Sequence, residues 1–528
     1  MTEKELPIRM DLNSNFYRPE WTCGRYDSKT NVAIFYNLLE GLCFYYEGIS
    51  AEVVGSILCV SRNEPFNIEW LSKKSNVSVQ SLMPFLEELK MYGLLTEKIA
   101  SKEDISLYRQ HLKSNHIHQV ENSMDVLHEM TIVGTANAER MYMEKVGGVT
   151  SVMFELTYRC GEKCIHCYNV GATRNDSEVS LRGKRTELDI EDYKQLIDAL
   201  IAEGLIKVCL SGGDPFSKSI IWDIISYLYE KEIAIDIFTN GISVTEKVGC
   251  LANYYPRTIG VSLYSGIAEV HDRITRIKGS HKKTLRFIEQ CSEYAIPMLL
   301  KCCIMKTNVK SYYTVKDIAY KYGALPQFDL NITDSVDGDK CASTVLRLGH
   351  EELEIVLRDR DLAYYIGKDE IKETTRVETD IMCNAGLNTF CITPEGNVQP
   401  CCAFPLKLGN IKEERISSII RQSELLKWWQ TKTIKDCPDC YKHPYCAYCQ
   451  MCVGNNYTAH GNPLKASDNN CFLAKERYNL AFKMQEGYDP LEGKTVEQAL
   501  QGLKIGNIET KRIQSTNYRE SARINGVP

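Results

Sequence analysis

Three cysteines fall close together as Cys160-Gly-Glu-Lys-Cys164-Ile-His-Cys167, directly after the apolar run Val152-Met153-Phe154-Glu155-Leu156. A strand that runs straight into three thiols must end where those thiols can converge, and this fixes what the surrounding chain can build. The other cysteines are just as uneven. The chain has 22; besides these three, nine are scattered (Cys23, Cys43, Cys59, Cys209, Cys250, Cys291, Cys302, Cys303, Cys341), and ten lie from Cys383 to Cys471. A disulfide scaffold suits short secreted chains. Here the N-terminus lacks a positive region followed by an apolar segment, and no run of about 18 apolar residues occurs anywhere. The expected location is the cytoplasm. In a reducing compartment, thiols at ligand spacing point to metal, because soft thiolates select zinc, copper(I) or iron–sulfur clusters.

A length of 528 residues predicts several domains. With 63 basic and 69 acidic residues and no long basic stretch, the charge pattern calls for neither nucleic acid nor an anionic membrane. Residues 1–110 read as a small module. In it, 33–46 forms two short strands around Glu40-Gly41, and Ile68 to Leu95 is a helix–turn–helix with Ile68, Leu71, Val77, Leu82, Phe85, Leu86 and Leu89 at helical spacing. Hairpin plus helix–turn–helix is a winged-helix pattern. Residues 111–148 read as a polar helical bridge. From 149 to 375, strands and helices alternate: a helix over 188–203, a strand over 206–210 ending in Ser211-Gly212-Gly213-Asp214-Pro215, a helix over 220–231, strands over 233–238 and 258–263, a helix over 280–294 and a strand over 298–305. That repetition predicts an α/β parallel sheet or barrel with its active residues at the C-terminal strand ends. Residues 376–475 are cysteine-rich and irregular, and 476–528 read as a polar, partly ordered tail.

A cubane cluster needs four sites, so Cys160, Cys164 and Cys167 would leave one iron open to a chelating cofactor. The competing reading is a zinc knuckle with His166 as fourth ligand, but adjacent residues such as His166 and Cys167 rarely reach one tetrahedral metal. The CxxxCxxC loop resembles that of the radical S-adenosylmethionine (radical SAM) superfamily. The resemblance implies a partial (β/α)6 TIM-like barrel, a [4Fe–4S] cluster on the three cysteines, and S-adenosylmethionine as cofactor. Gly212-Gly213-Asp214 resembles the family's GGE motif, which binds the cofactor's amino group, with Asp in place of Glu. Ser262 resembles a strand-end serine that touches the cofactor. The stretch His271-Asp272-Arg273-Ile274-Thr275 resembles one that closes on a carboxylate-gripping arginine; Thr275 holds that place here, leaving Arg273 or Arg276, with Arg276 entered as the candidate.

Cys383, then Gly396 and Cys401, then Cys437-x2-Cys440-x5-Cys446-x2-Cys449-x2-Cys452, and finally Cys471 resemble the SPASM extension, which carries two auxiliary clusters. Three [4Fe–4S] clusters in all are therefore implied. Carried over by position, one auxiliary cluster takes Cys383, Cys391, Cys401 and Cys449 (Cys452 being the alternative), and the other takes Cys437, Cys440, Cys446 and Cys471. A pair of structural zinc sites is the rival reading. In the sulfatase-maturing branch a basic aspartate follows the GxxxxC cysteine. Cys402 stands there instead, as a hydrogen donor, a base or a spare buried thiol, and this departure counts against sulfatase maturation.

As a DNA reader, the second helix of the front module is poor, offering Gln80, Glu87, Glu88 and Lys90. Asn15–Asn37 resembles the opening of peptide-recognition modules in SPASM peptide maturases, where a leader peptide adds as a strand to the sheet edge; a structural cap is the alternative. The chain is thus expected to be a radical SAM/SPASM maturase that oxidatively modifies a ribosomally made precursor peptide, with a thioether or carbon–carbon cross-link as product and flavodoxin or ferredoxin as electron donor. The alternatives are a sulfatase-maturing-type oxidase and a zinc-binding winged-helix regulator.

Overall fold

The computed structural model describes residues 14–122, 127–169, 187–335, 341–367, 371–372 and 377–504. The front module pairs β1 (Asn15–Tyr17) with β5 (Pro65–Asn67) and forms an antiparallel sheet from β2 (Thr22–Asp27), β3 (Val32–Asn37) and β4 (Leu42–Glu47). The expected hairpin is β3–β4, turning at Gly41 with φ +71. The expected helix pair is Ile68–Ser75 and Val79–Met91, each started by a side-chain cap, from Asn67 and Ser78. A further helix, Gly48–Leu58, escapes a sequence reading because Val53, Val54 and Ile57 favour strands and Gly55 disfavours helix. Burial decides it: Ala51, Val53, Val54 and Ile57 enter the module's core. Gly55 is required there, since a Cβ would stand 2.6 Å from the Tyr26 ring.

The helices Lys102–Asn122 and Leu127–Val146 connect the module to the main sheet. That sheet contains β6 (Ser151–Glu155), β7 (Lys207–Ser211), β8 (Ala234–Thr239), β9 (Thr258–Ser262), β10 (Met298–Cys303) and β11 (Leu325–Asp329), all parallel. These six strands and their helices are the (β/α)6 half of the expected architecture. The cysteine-rich region then adds β12 (Thr389–Ile392) parallel to β6, followed by antiparallel β13 (Asn397–Gln399) and β14 (Gly409–Asn410), giving one nine-stranded sheet. Alternate residues such as Val152 and Phe154, Val208 and Leu210, or Ile259 and Val261 join the core beneath the helices. By the pleat, Glu155, Ser211, Ser262 and Lys301 point into the barrel.

The front module docks at the N-terminal strand ends. Arg18 pairs with Glu232 (Nη1 to Oε2, 2.8 Å), Arg62 lies over the Tyr229 ring, and Tyr255 donates to Glu20 at 3.2 Å. Beneath the barrel, Glu139 accepts from Lys207 (2.5 Å) and from the Tyr36 hydroxyl (3.1 Å) and pairs with Arg257 (3.5 Å), which in turn grips Asp236. Burial alone would raise the Glu139 carboxyl, but Arg257 and Lys207 hold it below its ordinary value.

The tail departs from expectation. Residues 468–485 form a helix, so the boundary drawn at 475/476 falls inside it, and Leu480, Ala481 and Met484 are buried. Arg477 is buried too and donates to Tyr448 O at 2.6 Å. A second helix, Val496–Gly502, buries Leu500. A few apolar side chains on a polar helix sufficed, because a long arginine stem also fills core volume. Residues 505–528 of the expected tail lie outside the described residues.

Candidate active site

The chain leaves β6 across the glycine turn that ends β7. Gly213 N donates to Thr157 O (2.7 Å) and Asp214 N to Arg159 O (3.0 Å). A Cβ on Gly213 would lie 2.5 Å from Arg159 O, and one on Gly212, at φ +124, would lie 2.4 Å from Thr157 O. The two glycines therefore let the β7 end lie flush against the approach to Cys160. On the other side, Lys163 N and Ile165 N donate to Thr275 O and Ile274 O (2.9 and 3.0 Å), at the end of helix Ala268–Thr275. The cysteine loop is held between these two supports. Asn240 Nδ2 lies 3.4 Å from Cys160 Sγ, and Cys164 Sγ lies 3.5 Å from Glu162 Oε2.

Asp214 is fully buried. Its Oδ1 accepts from the Thr239 hydroxyl (2.6 Å), its Oδ2 has no partner, and burial raises its carboxyl. An orphaned buried acceptor at a strand end suits the ammonium group of a bound amino acid. Ser262 ends β9 beside Lys301 of β10. Of the two arginines, Arg273 reaches out to Thr307 O (3.4 Å). Arg276, left-handed at φ 59, is partly buried with Cys164 as an electrostatic partner. Thr275 is locked away, sharing a 2.7 Å hydrogen bond with the Ser280 hydroxyl. His166 lies edge-on to Tyr264, with centroids 4.6 Å apart, and burial lowers it to about 4, which keeps it neutral.

The second set of thiols forms two groups. Cys391 sits on β12, with Cys401 and Glu155 as electrostatic neighbours, and Cys383 has Cys401 as its own. Cys452 caps helix Val453–His460 and counts Cys401 and Cys383 among its neighbours. Gly454 makes this possible, since a Cβ there would lie 2.1 Å from Ala403 O. The other group, Cys440, Cys446, Cys449 and Cys471, lines a cavity of about 310 Å³ including its open mouth.

Cys452 thus has Cys401 and Cys383 as neighbours, while Cys449 lines the cavity with Cys440, Cys446 and Cys471. The tight turn Pro444–Tyr448, with Cys449 N donating to Cys446 O (3.1 Å), keeps Cys449 beside Cys446. Cys437 and Cys440 lie side by side, their Cα atoms 5.4 Å apart. The hydrogen bond with Cys401, together with burial, pushes the Cys402 thiol up.

The sequence reading passed over Glu155. It is buried at the C-terminal end of β6, where Oε1 accepts from the Tyr168 hydroxyl (3.3 Å) and Oε2 from the Tyr158 hydroxyl (3.4 Å). Burial pushes its carboxyl up to about 7. An acid in an apolar strand that points inward was the available signal.

The Radical SAM superfamily description matches residues 154–310, and the SPASM iron–sulfur cluster-binding domain matches 383–453. The antilisterial bacteriocin subtilosin biosynthesis protein AlbA of Bacillus subtilis is 28% identical over 312 residues, 57% of this chain and 66% of that protein. The Fe-coproporphyrin III synthase of Methanosarcina barkeri is 32% identical over 168 residues, 32% of this chain and 40% of that protein. The matched stretch therefore spans less than two thirds of either relative. The crystal structure of Streptococcus suis SuiB bound to precursor peptide SuiA aligns over 86% of this chain and 99% of that one, with a TM-score of 0.51 at 15% identity, a likeness of fold. The strand-end CxxxCxxC loop thus lies in the stretch that matches the Radical SAM superfamily, and the cysteine-rich strand built into the barrel sheet lies in the stretch that matches the SPASM iron–sulfur cluster-binding domain.

Proposed function

We propose that the protein is a radical SAM/SPASM enzyme that oxidatively modifies a ribosomally made precursor peptide. The observation that carries this reading is the union, in one chain, of a thiol-bearing barrel end with a winged-helix-like module docked on the barrel's opposite end. In this reading Cys160, Cys164 and Cys167 hold a [4Fe–4S] cluster. The Gly212-Gly213 turn and Asp214 Oδ2 receive the amino group of S-adenosylmethionine, Arg276 faces its carboxylate, and Ser262 lies at the strand end beside it. Bound there, cluster and cofactor supply a 5′-deoxyadenosyl radical that removes a hydrogen atom from the peptide. Cys383, Cys391, Cys401 and Cys452 hold one auxiliary cluster. The other draws on Cys437, Cys440, Cys446 and Cys471, with Cys449 in the same cavity wall.

Residues 1–110 offer a sheet edge to a leader peptide, and a flavodoxin or ferredoxin supplies the electron that starts each turnover. Cytoplasmic work fits free thiols, and among the described residues no helix is long and apolar enough to cross a membrane. The B. subtilis relative named for bacteriocin biosynthesis supports a peptide substrate, and a thioether is the favoured product.

The test is anaerobic turnover of the full chain, with reconstituted clusters, on candidate precursor peptides with and without their leaders. The expected result is a loss of two hydrogens per modification, seen by mass spectrometry and dependent on the leader. Cofactor cleavage with every peptide unchanged would count against the reading.

A further inference from the structure

Glu155 has a position that ligand holding does not explain. It ends β6, five residues before Cys160, and β6 is also the strand that β12, carrying Cys391, joins. The carboxylate therefore stands between the two thiol systems. Its oxygens are held by tyrosine hydroxyls rather than by a cysteine. Tyr168 follows Cys167 directly, and its own electrostatic neighbours include Cys402 and Cys391. Tyr158 precedes Cys160 and retains partial exposure. Among the described residues, the named electrostatic neighbours of Glu155 are Glu395 and Cys401, beside the two tyrosine hydroxyls.

Oxidative modification of a peptide removes two hydrogens. The first leaves as an atom: a peptide C–H bond breaks and a C–H bond of 5′-deoxyadenosine forms. The second leaves as a proton and an electron. For a thioether, the sulfur–carbon bond forms as the S–H bond breaks, and the electron passes to an oxidised auxiliary [4Fe–4S] cluster. That proton needs an acceptor close to the place where the electron goes, because separating the charges in a buried site is costly.

We propose that Glu155 is this acceptor, taking the proton through the hydroxyl of Tyr158 while Tyr168 fixes the carboxylate in place. The inference rests on the peptide-modifying reading above. The step ends with a neutral cross-link, a cluster reduced by one electron and a protonated Glu155, which loses its proton to solvent before the next turnover. The job needs an acid that is protonated and deprotonated within each cycle, and a buried carboxylate held by two hydroxyls fits it.

The test compares wild type, Glu155→Gln, Glu155→Asp and Tyr158→Phe in the full chain with all clusters loaded. It follows peptide product and 5′-deoxyadenosine side by side, with iron content and the cluster electron paramagnetic resonance spectrum as controls. In E155Q the product should fall by at least ~100-fold while 5′-deoxyadenosine continues to form, so that cofactor spent per product rises steeply. E155D should recover part of the product, and Y158F should lose about tenfold. E155Q with wild-type product overturns the proposal. So does a parallel loss of product, 5′-deoxyadenosine and iron, since that is the mark of a structural role. The two failures separate cleanly: wild-type enzyme that cleaves its cofactor but modifies no peptide overturns the peptide reading and this proposal together, whereas wild-type modification with an equally active E155Q overturns this proposal alone.

Discussion

The two ends of the barrel treat buried acids in opposite ways. At the N-terminal strand ends, Glu139 meets Lys207 and Arg257, Asp236 meets Arg257, and the Glu139 carboxyl is held low. At the C-terminal ends, Asp214 and Glu155 are as deeply buried, their hydrogen bonds come from hydroxyls and, for Asp214, also a backbone N–H, and both carboxyls are raised. One side-chain chemistry thus shifts in two directions at the two ends of one barrel. Compensated charge fastens the front module to the barrel. Uncompensated charge is tolerated where a bound group or a moving proton is to supply what is missing.

This contrast gives testable consequences, the strongest at the thiol end. Cys164→Ser should lower cofactor cleavage by at least ~10³-fold, with thermal stability nearly unchanged; activity assays beside melting curves check this. At the other end the effects should be reversed. Glu139→Ala leaves Lys207 and Arg257 buried without their partner and should cost about 3–5 kcal/mol of stability, read by denaturant titration. If that variant instead lost chemistry and kept its stability, the division between the two ends would fall.

A third consequence concerns pH. Glu155 binds its proton more tightly folded than unfolded, so between about pH 4.5 and 7 the folded state carries the extra proton and stability falls as pH rises, by up to ~3 kcal/mol. Glu155→Gln should flatten that slope and be more stable relative to wild type at pH 8 than at pH 5; equal slopes would mean the carboxyl is not raised. The smallest effect is expected outside both ends. Arg421 pairs with Glu203 on the surface (2.8 Å), and Arg421→Ala should change stability by no more than ~0.5 kcal/mol.

How much of this was legible in the sequence depends on the kind of signal. The cysteine loop and Gly212-Gly213-Asp214 were readable because the chemistry dictates residue type and spacing together. The parallel strands were readable from apolar runs between amphipathic helices. Helix Gly48–Leu58 was not, because its β-branched residues and glycine argue for strand and only packing overrules them. Cys452 could not be separated from Cys449 by counting. What brings Cys452 beside Cys401 and Cys383 is the close approach of Gly454 to Ala403, residues far apart in sequence. Glu155 left only a faint signal, an acid in an apolar strand, because its hydrogen bond from Tyr168 depends on how the cysteine loop folds back on β6. Charge balance belongs to tertiary structure: Glu139 and Glu155 look alike in the sequence.

The pairing of β12 with β6 joins Ser151 to Thr389, and this carries a cost in time. At ribosomal rates of about 5–20 residues per second, β6 must wait roughly 10–50 s for its neighbour to be synthesised. Until then the thiols of the first loop and an unpaired sheet edge are both exposed, so iron loading and chaperone protection are expected to compete for the same nascent chain. A cell that makes this protein faster than it can deliver iron should accumulate it as aggregate rather than as folded apoprotein.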